Sequence, residues 1–193
     1  AIASGGTTGD NIGQITLVGA GPGARDLLTL RAVERLQEAD VIFYDRLVDA
    51  EVLELARRDA ERVSVGKHVG AHRWPQDRIS SMVVSEAKKG RRVVRLKSGD
   101  PGVFGRAAEE VDAARDAGIP IEIVPGVTAA CAAAAGLTRS LTERGVANTL
   151  VLATGTGRAE DPLPDSIRLS GPGTTTALYM SVSQASRLSG LWM

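Results

Sequence analysis

A single cysteine, Cys131, excludes an internal disulfide, and an unpaired thiol suits a reducing, cytoplasmic setting. Its place in the alanine run from Ala129 to Ala135 predicts a small buried residue rather than a reactive thiol. Aromatic residues are equally scarce. Two Trp, two Tyr and two Phe supply no stacking platform for single-stranded nucleic acid. There is no excess of either charge: 23 basic residues balance 23 acidic ones. That balance argues against a nucleic-acid binder and leaves room only for a local basic patch. No apolar run reaches the roughly 18 residues of a membrane-spanning helix. The start of the chain, Ala1 to Asn11, lacks the basic head and apolar core of a signal peptide. Its Gly, Ser and Thr content predicts a flexible leader over residues 1–12. The two histidines, His68 and His72, would share a helical face, but Gly70 and Pro75 oppose a helix there and no third ligand is evident. No metal site is therefore expected. A nucleophile elbow and a phosphate-binding loop are also missing.

What is present is alternation. Of the 193 residues, 43% are apolar, enough for a sizeable core. Gln14–Val18 reads as a strand running into Gly19-Ala20-Gly21-Pro22-Gly23. A helix follows, with Thr29 as its cap and Leu30, Val33 and Leu36 at helical spacing. Strands are predicted over Val41–Tyr44, Arg62–Val65, Arg92–Lys97 and Ile121–Val124. Helices are predicted over Asp49–Arg58, Gln76–Lys89 and Arg106–Ala117. This pattern implies an α/β fold with a mostly parallel sheet covered on both faces. Residues 13–119 are assigned to an N-terminal α/β domain and 120–193 to a second one. The second offers an alanine-rich helix from Thr128, strands at Thr149–Ala153 and Thr174–Met180, and a polar loop over Arg158–Gly173. Two strands are few for a sheet, so this domain is expected to be incomplete.

In an open parallel sheet, functional loops sit at the carboxyl ends of the strands. Three loops fall there. The glycine turn after Val18 lets a ligand approach the backbone closely. It departs from a dinucleotide-binding fingerprint because position 24 is Ala and Pro22 removes an amide hydrogen. As a turn it is equally compatible with a purely structural role. In Lys97-Ser98-Gly99-Asp100-Pro101-Gly102, Asp100 is either a ligand acceptor or the side chain of an Asx turn. Asp45 ends a buried strand, where a carboxylate can act as a general base; the alternative is a salt bridge to Arg46. Lys67, just past the third strand, is a candidate proton donor or anion binder, or else a solvated surface lysine.

Taken in order, a set of segments is more specific than any one loop. It comprises Val-Gly-Ala-Gly-Pro-Gly (18–23), Leu-Leu-Thr-Leu (27–30), Tyr-Asp-Arg-Leu-Val (44–48), Val-Gly-Lys (65–67), Val-Val-Arg-Leu-Lys-Ser-Gly-Asp-Pro (93–101), Val-Phe-Gly-Arg (103–106) and Val-Pro-Gly-Val-Thr-Ala-Ala (124–130). This set resembles the tetrapyrrole methyltransferase family, and the 44–48 and 65–67 segments resemble its uroporphyrinogen-III branch. The resemblance implies a two-domain α/β fold that holds S-adenosylmethionine folded between the domains. By matching position, it implies cofactor contacts from Pro22, Ser98, Gly99, Asp100, Val103, Thr128, Ala129 and Met180. It assigns proton handling to Asp45 and Lys67.

The reaction implied is methylation of uroporphyrinogen III at ring carbons 2 and 7, giving precorrin-2 and S-adenosylhomocysteine, by a cytoplasmic homodimer without a metal. Precorrin-2 feeds sirohaem, cobalamin or haem d1. Arg46, Arg73 and Arg106, lying in or beside the loops, are candidates for binding the carboxylates of that substrate. The alternatives are another corrin-ring or diphthamide-pathway methyltransferase, or a non-catalytic cofactor-binding fragment. The sequence departs from the family pattern at Ser98, which replaces a loop glycine, and at Gly102 and Ala107.

Overall fold

The computed structural model describes residues 12–66, 74–155 and 170–182. Lys67, His68, His72, Arg73, the leader through residue 11 and most of the predicted 158–173 loop lie outside the described residues. The chain divides into two units, the first ending at Ala129.

The first unit is a five-stranded parallel sheet. Its strands are β1 (Gln14–Gly19), β2 (Val41–Tyr44), β3 (Glu61–Ser64), β4 (Arg92–Lys97) and β5 (Ile121–Val124), in the order β3-β2-β4-β1-β5. The helices are α1 (Leu30–Glu38), α2 (Ala50–Leu53), α3 (Gln76–Lys88) and α4 (Ala107–Asp116). Side chains alternate along each strand, so the sheet has two apolar faces. Val18, Ile42, Val94 and Leu96 meet α1 and α2 through Ala32, Leu36, Val52 and Leu53. Ile15, Leu17, Phe43 and Val93 meet α3 and α4 through Ile79, Val83, Ala107 and Ala114. The expected boundary after residue 119 is therefore corrected: β5 pairs with β1 and completes this sheet.

Neighbouring strands β1 and β4 send their following helices, α1 and α4, to opposite faces. Their carboxyl ends consequently diverge into a crevice, the switch point where open α/β sheets bind ligands.

Several local expectations shift. Thr29 does cap α1, its Oγ1 accepting from Ala32 N–H at 3.1 Å. The buried stripe, however, is Ala32, Leu36 and Ala39, while Leu30 is 85% exposed. The helix predicted over 49–58 is only Ala50–Leu53. Beyond it, Leu55 and Ala56 bond back to Val52 and Leu53, an i→i−3 tightening that ends the helix.

The second unit contains α5 (Ala129–Gly136), β6 (Thr149–Thr154) and β7 (Thr174–Tyr179), the two strands pairing in parallel. Cys131 is exposed rather than buried, because only Ala130 of α5 faces inward. No helix among the described residues is long and apolar enough to cross a membrane.

Leu36 is fully buried, so Leu36→Ala should cost about 2–5 kcal/mol. Leu30→Ala should change stability by no more than about 0.5 kcal/mol. Urea denaturation of the two variants checks this assignment of the α1 face.

Candidate functional site

Backbone approach shapes the switch point. Gly21 and Gly99 form an antiparallel bridge: Gly99 N–H donates to Gly21 O at 2.7 Å, and Gly21 N–H returns to Gly99 O at 3.2 Å. Gly99 has φ +70°, the left-handed region where glycine is favoured. Gly126 lies so close that an added Cβ would fall 2.2 Å from Gly99 O. Asp100 ties these loops together. Its Oδ1 accepts from Gly102 N–H at 2.7 Å, and its Oδ2 from Gly126 N–H at 2.9 Å. The first bond is the anticipated Asx turn; the second links the β4 loop to the segment after β5. Ser98 has no positive φ, so its Cβ is tolerated, and the conformational demand for glycine falls on Gly99.

These bonds bring the Pro22, Ser98–Asp100 and Gly126–Ala129 segments into one cluster. Gly99 is partly exposed, and a Cβ there would meet only Thr128 Cα, at 4.0 Å. Its Cα is thus open to close approach. Met180 belongs to the second unit, where it is exposed and left-handed, φ 53°, at the end of β7. Next to it, the Tyr179 hydroxyl accepts from Ala130 N–H at 3.1 Å.

Beside the glycine cluster opens a cavity of about 450 Å³ in the first unit. Asp45, Arg46, Gly66, Ser98, Val103 and Arg106 are among its walls. Predicted catalytic, substrate-binding and cofactor residues therefore share one space. A Cβ on Gly66 would lie 2.5 Å from Arg46 N, so the β2 and β3 loops are pressed together. Arg46 makes no ion pair among the described residues, whereas Arg106 pairs with Glu109. Arg106 and Phe104 both have positive φ, 56° and 53°. Such outliers cluster at functional loops.

Asp45 pairs with Arg95, and not with its neighbour Arg46. Arg95 Nη2 donates to Asp45 Oδ1 at 2.7 Å. Behind this contact lies a buried charge network that sequence reasoning missed. Arg95 is 2% exposed. Its Nε donates to Glu110 Oε1 at 3.1 Å, and its Nη1 to the carbonyls of Leu96 and Phe43 at 3.1 and 3.4 Å. Lys97 Nζ donates to both Glu110 oxygens at 3.1 and 3.0 Å, and Gln76 Nε2 to Oε1 at 2.9 Å. Burial, then the nearby Arg95 charge, pushes the Lys97 ammonium below its ordinary value, against the opposing pull of Glu110 and Asp45. The signal was present in β4. A central parallel strand should be nearly all apolar, yet Arg95 and Lys97 sit two apart on one face and require a buried anion.

Glu110→Leu should cost about 3–5 kcal/mol, because two buried cations lose their shared anion. Adding Lys97→Met should recover part of that loss, and chemical denaturation of both variants checks the order. The pH dependence has a definite sign. The folded Lys97 value lies below 10.5, so the folded chain releases this proton before the unfolded chain does. The stabilisation gained on deprotonation is complete above that unfolded value and is lost as pH falls through the lowered one. Lys97→Met should therefore lack this alkaline rise in unfolding free energy.

Among known proteins, residues 14–192 match the family model for tetrapyrrole (corrin/porphyrin) methylases. The chain is 49% identical over 170 residues to the siroheme synthase of Tolumonas auensis, covering 88% of this chain and 36% of that relative. It is 49% identical over 178 residues to the siroheme synthase of Edwardsiella ictaluri, covering 91% and 38%. It thus spans little more than a third of the length of these curated relatives. Two solved structures are similar. One is a uroporphyrin-III C-methyltransferase from Thermus thermophilus complexed with S-adenosylhomocysteine, with a TM-score of 0.72, 37% identity and coverage of 94% and 78%. The other is a cobalt precorrin-4 methyltransferase, with a TM-score of 0.77, 29% identity and coverage of 92% and 72%. Because the family match begins at the first residue of β1 and runs through both units, the chain belongs to the tetrapyrrole methylases.

Proposed function

We propose that this chain methylates uroporphyrinogen III at ring carbons 2 and 7 with S-adenosylmethionine, giving precorrin-2. The observation that carries the reading is Asp45. It directly follows β2 at the wall of the cavity, with Oδ1 held by Arg95 and Oδ2 uncommitted among the described residues. When bound, S-adenosylmethionine supplies a methyl group already activated by its sulfonium, so the protein needs no covalent nucleophile. Pro22, Ser98, Gly99, Asp100, Val103, Thr128, Ala129 and Met180 hold it in this reading, with the open Gly99 Cα as the close-approach point. The chain then has to align the ring carbon, exclude water and accept the proton lost by the methylated ring. Asp45 takes that proton on its free oxygen. Lys67, which follows the wall residue Gly66, shares the proton handling.

The substrate is a polycarboxylate. Arg46, at the cavity wall and without an ion pair among the described residues, binds one of its carboxylates as a bidentate fork, with Arg73 and Arg106 as further partners. Support comes from the relatives named siroheme synthase and from the uroporphyrin-III methyltransferase neighbours. We read the protein as a cytoplasmic homodimer on the family resemblance. A corrin-ring methyltransferase is the second reading, favoured by the TM-score of 0.77 to the cobalt precorrin-4 enzyme; the lower identity, 29% against 49%, weighs against it.

Asp45→Asn should lower kcat for uroporphyrinogen III by about 10²-fold or more, while calorimetry finds S-adenosylhomocysteine binding preserved. Arg46→Ala should raise KM for the same substrate. Methylation of a cobalt-precorrin by the wild-type chain, without methylation of uroporphyrinogen III, would replace this reading with the second.

A further inference from the structure

Arg95 is a buried cation that the methyl-transfer chemistry does not use directly. We infer that Arg95 is a positioning residue: it fixes the Asp45 carboxylate so that one oxygen is held and the other is presented to substrate. The inference deepens the reading of Asp45 as proton acceptor and rests on it.

The geometry gives the reason. A guanidinium is planar and has five donors in a rigid fork. Four bonds already fix its orientation here, to Glu110 Oε1, Phe43 O, Leu96 O and Asp45 Oδ1. The Phe43 and Leu96 carbonyls belong to β2 and β4, whose register pairs Phe43 directly with Arg95. Neither can move without breaking the sheet. Glu110 is equally confined: it is 5% exposed and receives hydrogen bonds from Arg95, Lys97 and Gln76. Among the charged members of this network Asp45 has by far the most solvent access: its side chain is 35% exposed, against 2% for Arg95, 4% for Glu110 and 6% for Lys97. The rigid end of the network is therefore the sheet and α4, and the free end is the carboxylate at the cavity wall.

A base oriented by a third group that is itself anchored is the arrangement by which enzymes hold a proton acceptor in line. Without Arg95, the Asp45 side chain would regain its rotamers and face the cavity in several ways. Arg95 also keeps the cluster neutral, with Arg95 and Lys97 facing Asp45 and Glu110. Removing it would leave two carboxylates with a single cation, which adds a structural cost to the positional one. A test must separate the two.

The test is a double-mutant cycle in the complete protein, read by single-turnover rates on uroporphyrinogen III and by calorimetry with S-adenosylhomocysteine. Arg95→Lys keeps the charge and removes the fork, so it is the variant expected to fold; Arg95→Gln is the more severe companion. In the wild-type background, Arg95→Lys should slow methyl transfer about tenfold or more, with S-adenosylhomocysteine affinity and substrate KM within about twofold. In the Asp45→Asn background, the same substitution should cost less than about twofold, because the group it positions is no longer a base. An equal cost in both backgrounds would show that Arg95 acts through general stability and would overturn the positioning role, leaving Asp45 as base. An unchanged rate for Arg95→Lys in the wild-type background overturns it as well. A normal rate for Asp45→Asn alone removes the base, and the coupling with it.

Discussion

Two cations on one face of the central strand must be neutralised before the sheet can close. Arg95 and Lys97 of β4 point to the side covered by α3 and α4, and α4 meets that demand with one carboxylate, Glu110, which also accepts from the Gln76 amide of α3. The remaining valence of Arg95 goes to Asp45. The packing of α4 against the sheet and the geometry of the cavity wall are therefore one problem. A buried ion pair is poor evidence for net stability. Its presence in the central strand of a small sheet is better understood as a device that fixes where a side chain points.

Beside this charged cluster, the switch point is built by close approach of backbone. Gly19, Gly21, Gly99 and Gly126 lie where strands β1, β4 and β5 end. Asp100 staples the loops through two backbone amides. An Asp in such a loop suggests ligand contact, yet both oxygens first serve the fold. The same residue can do both, since each carboxylate oxygen has a second lone pair. The glycine loops and the Asp45 carboxylate are thus held by different physical means, neutral backbone contacts for one and a buried charge network for the other, meeting at the ends of adjacent strands.

Much of this was legible in the sequence. The strands of the parallel sheet, the Thr29 cap and the loops at the strand ends follow from periodicity and turn chemistry. The setting of Asp45 is legible only in part. The sequence offers the adjacent Arg46 as its partner, whereas the actual partner, Arg95, is fifty positions away. The α1 stripe was misjudged because Leu30, Val33 and Leu36 satisfy helical spacing as well as Ala32, Leu36 and Ala39 do. Only the position of the sheet selects between them. The alanines around Cys131 suggest burial, but a helix of small residues has no face that composition alone can orient.

The alternation of strands and helices, the glycine positions and the motif set that marks the family are all written in the order of residues along the chain. These are local properties, set by backbone sterics and side-chain periodicity. The strand order, the extension of the first unit through β5, the meeting of three glycine loops and the partners of each charge come from the folded chain. Those depend on which distant segments come into contact, and neither spacing nor composition records that. The pairing of Asp45 with Arg95 is the clearest case: each residue is visible in the sequence, and the hydrogen bond between them exists only because β2 and β4 lie side by side.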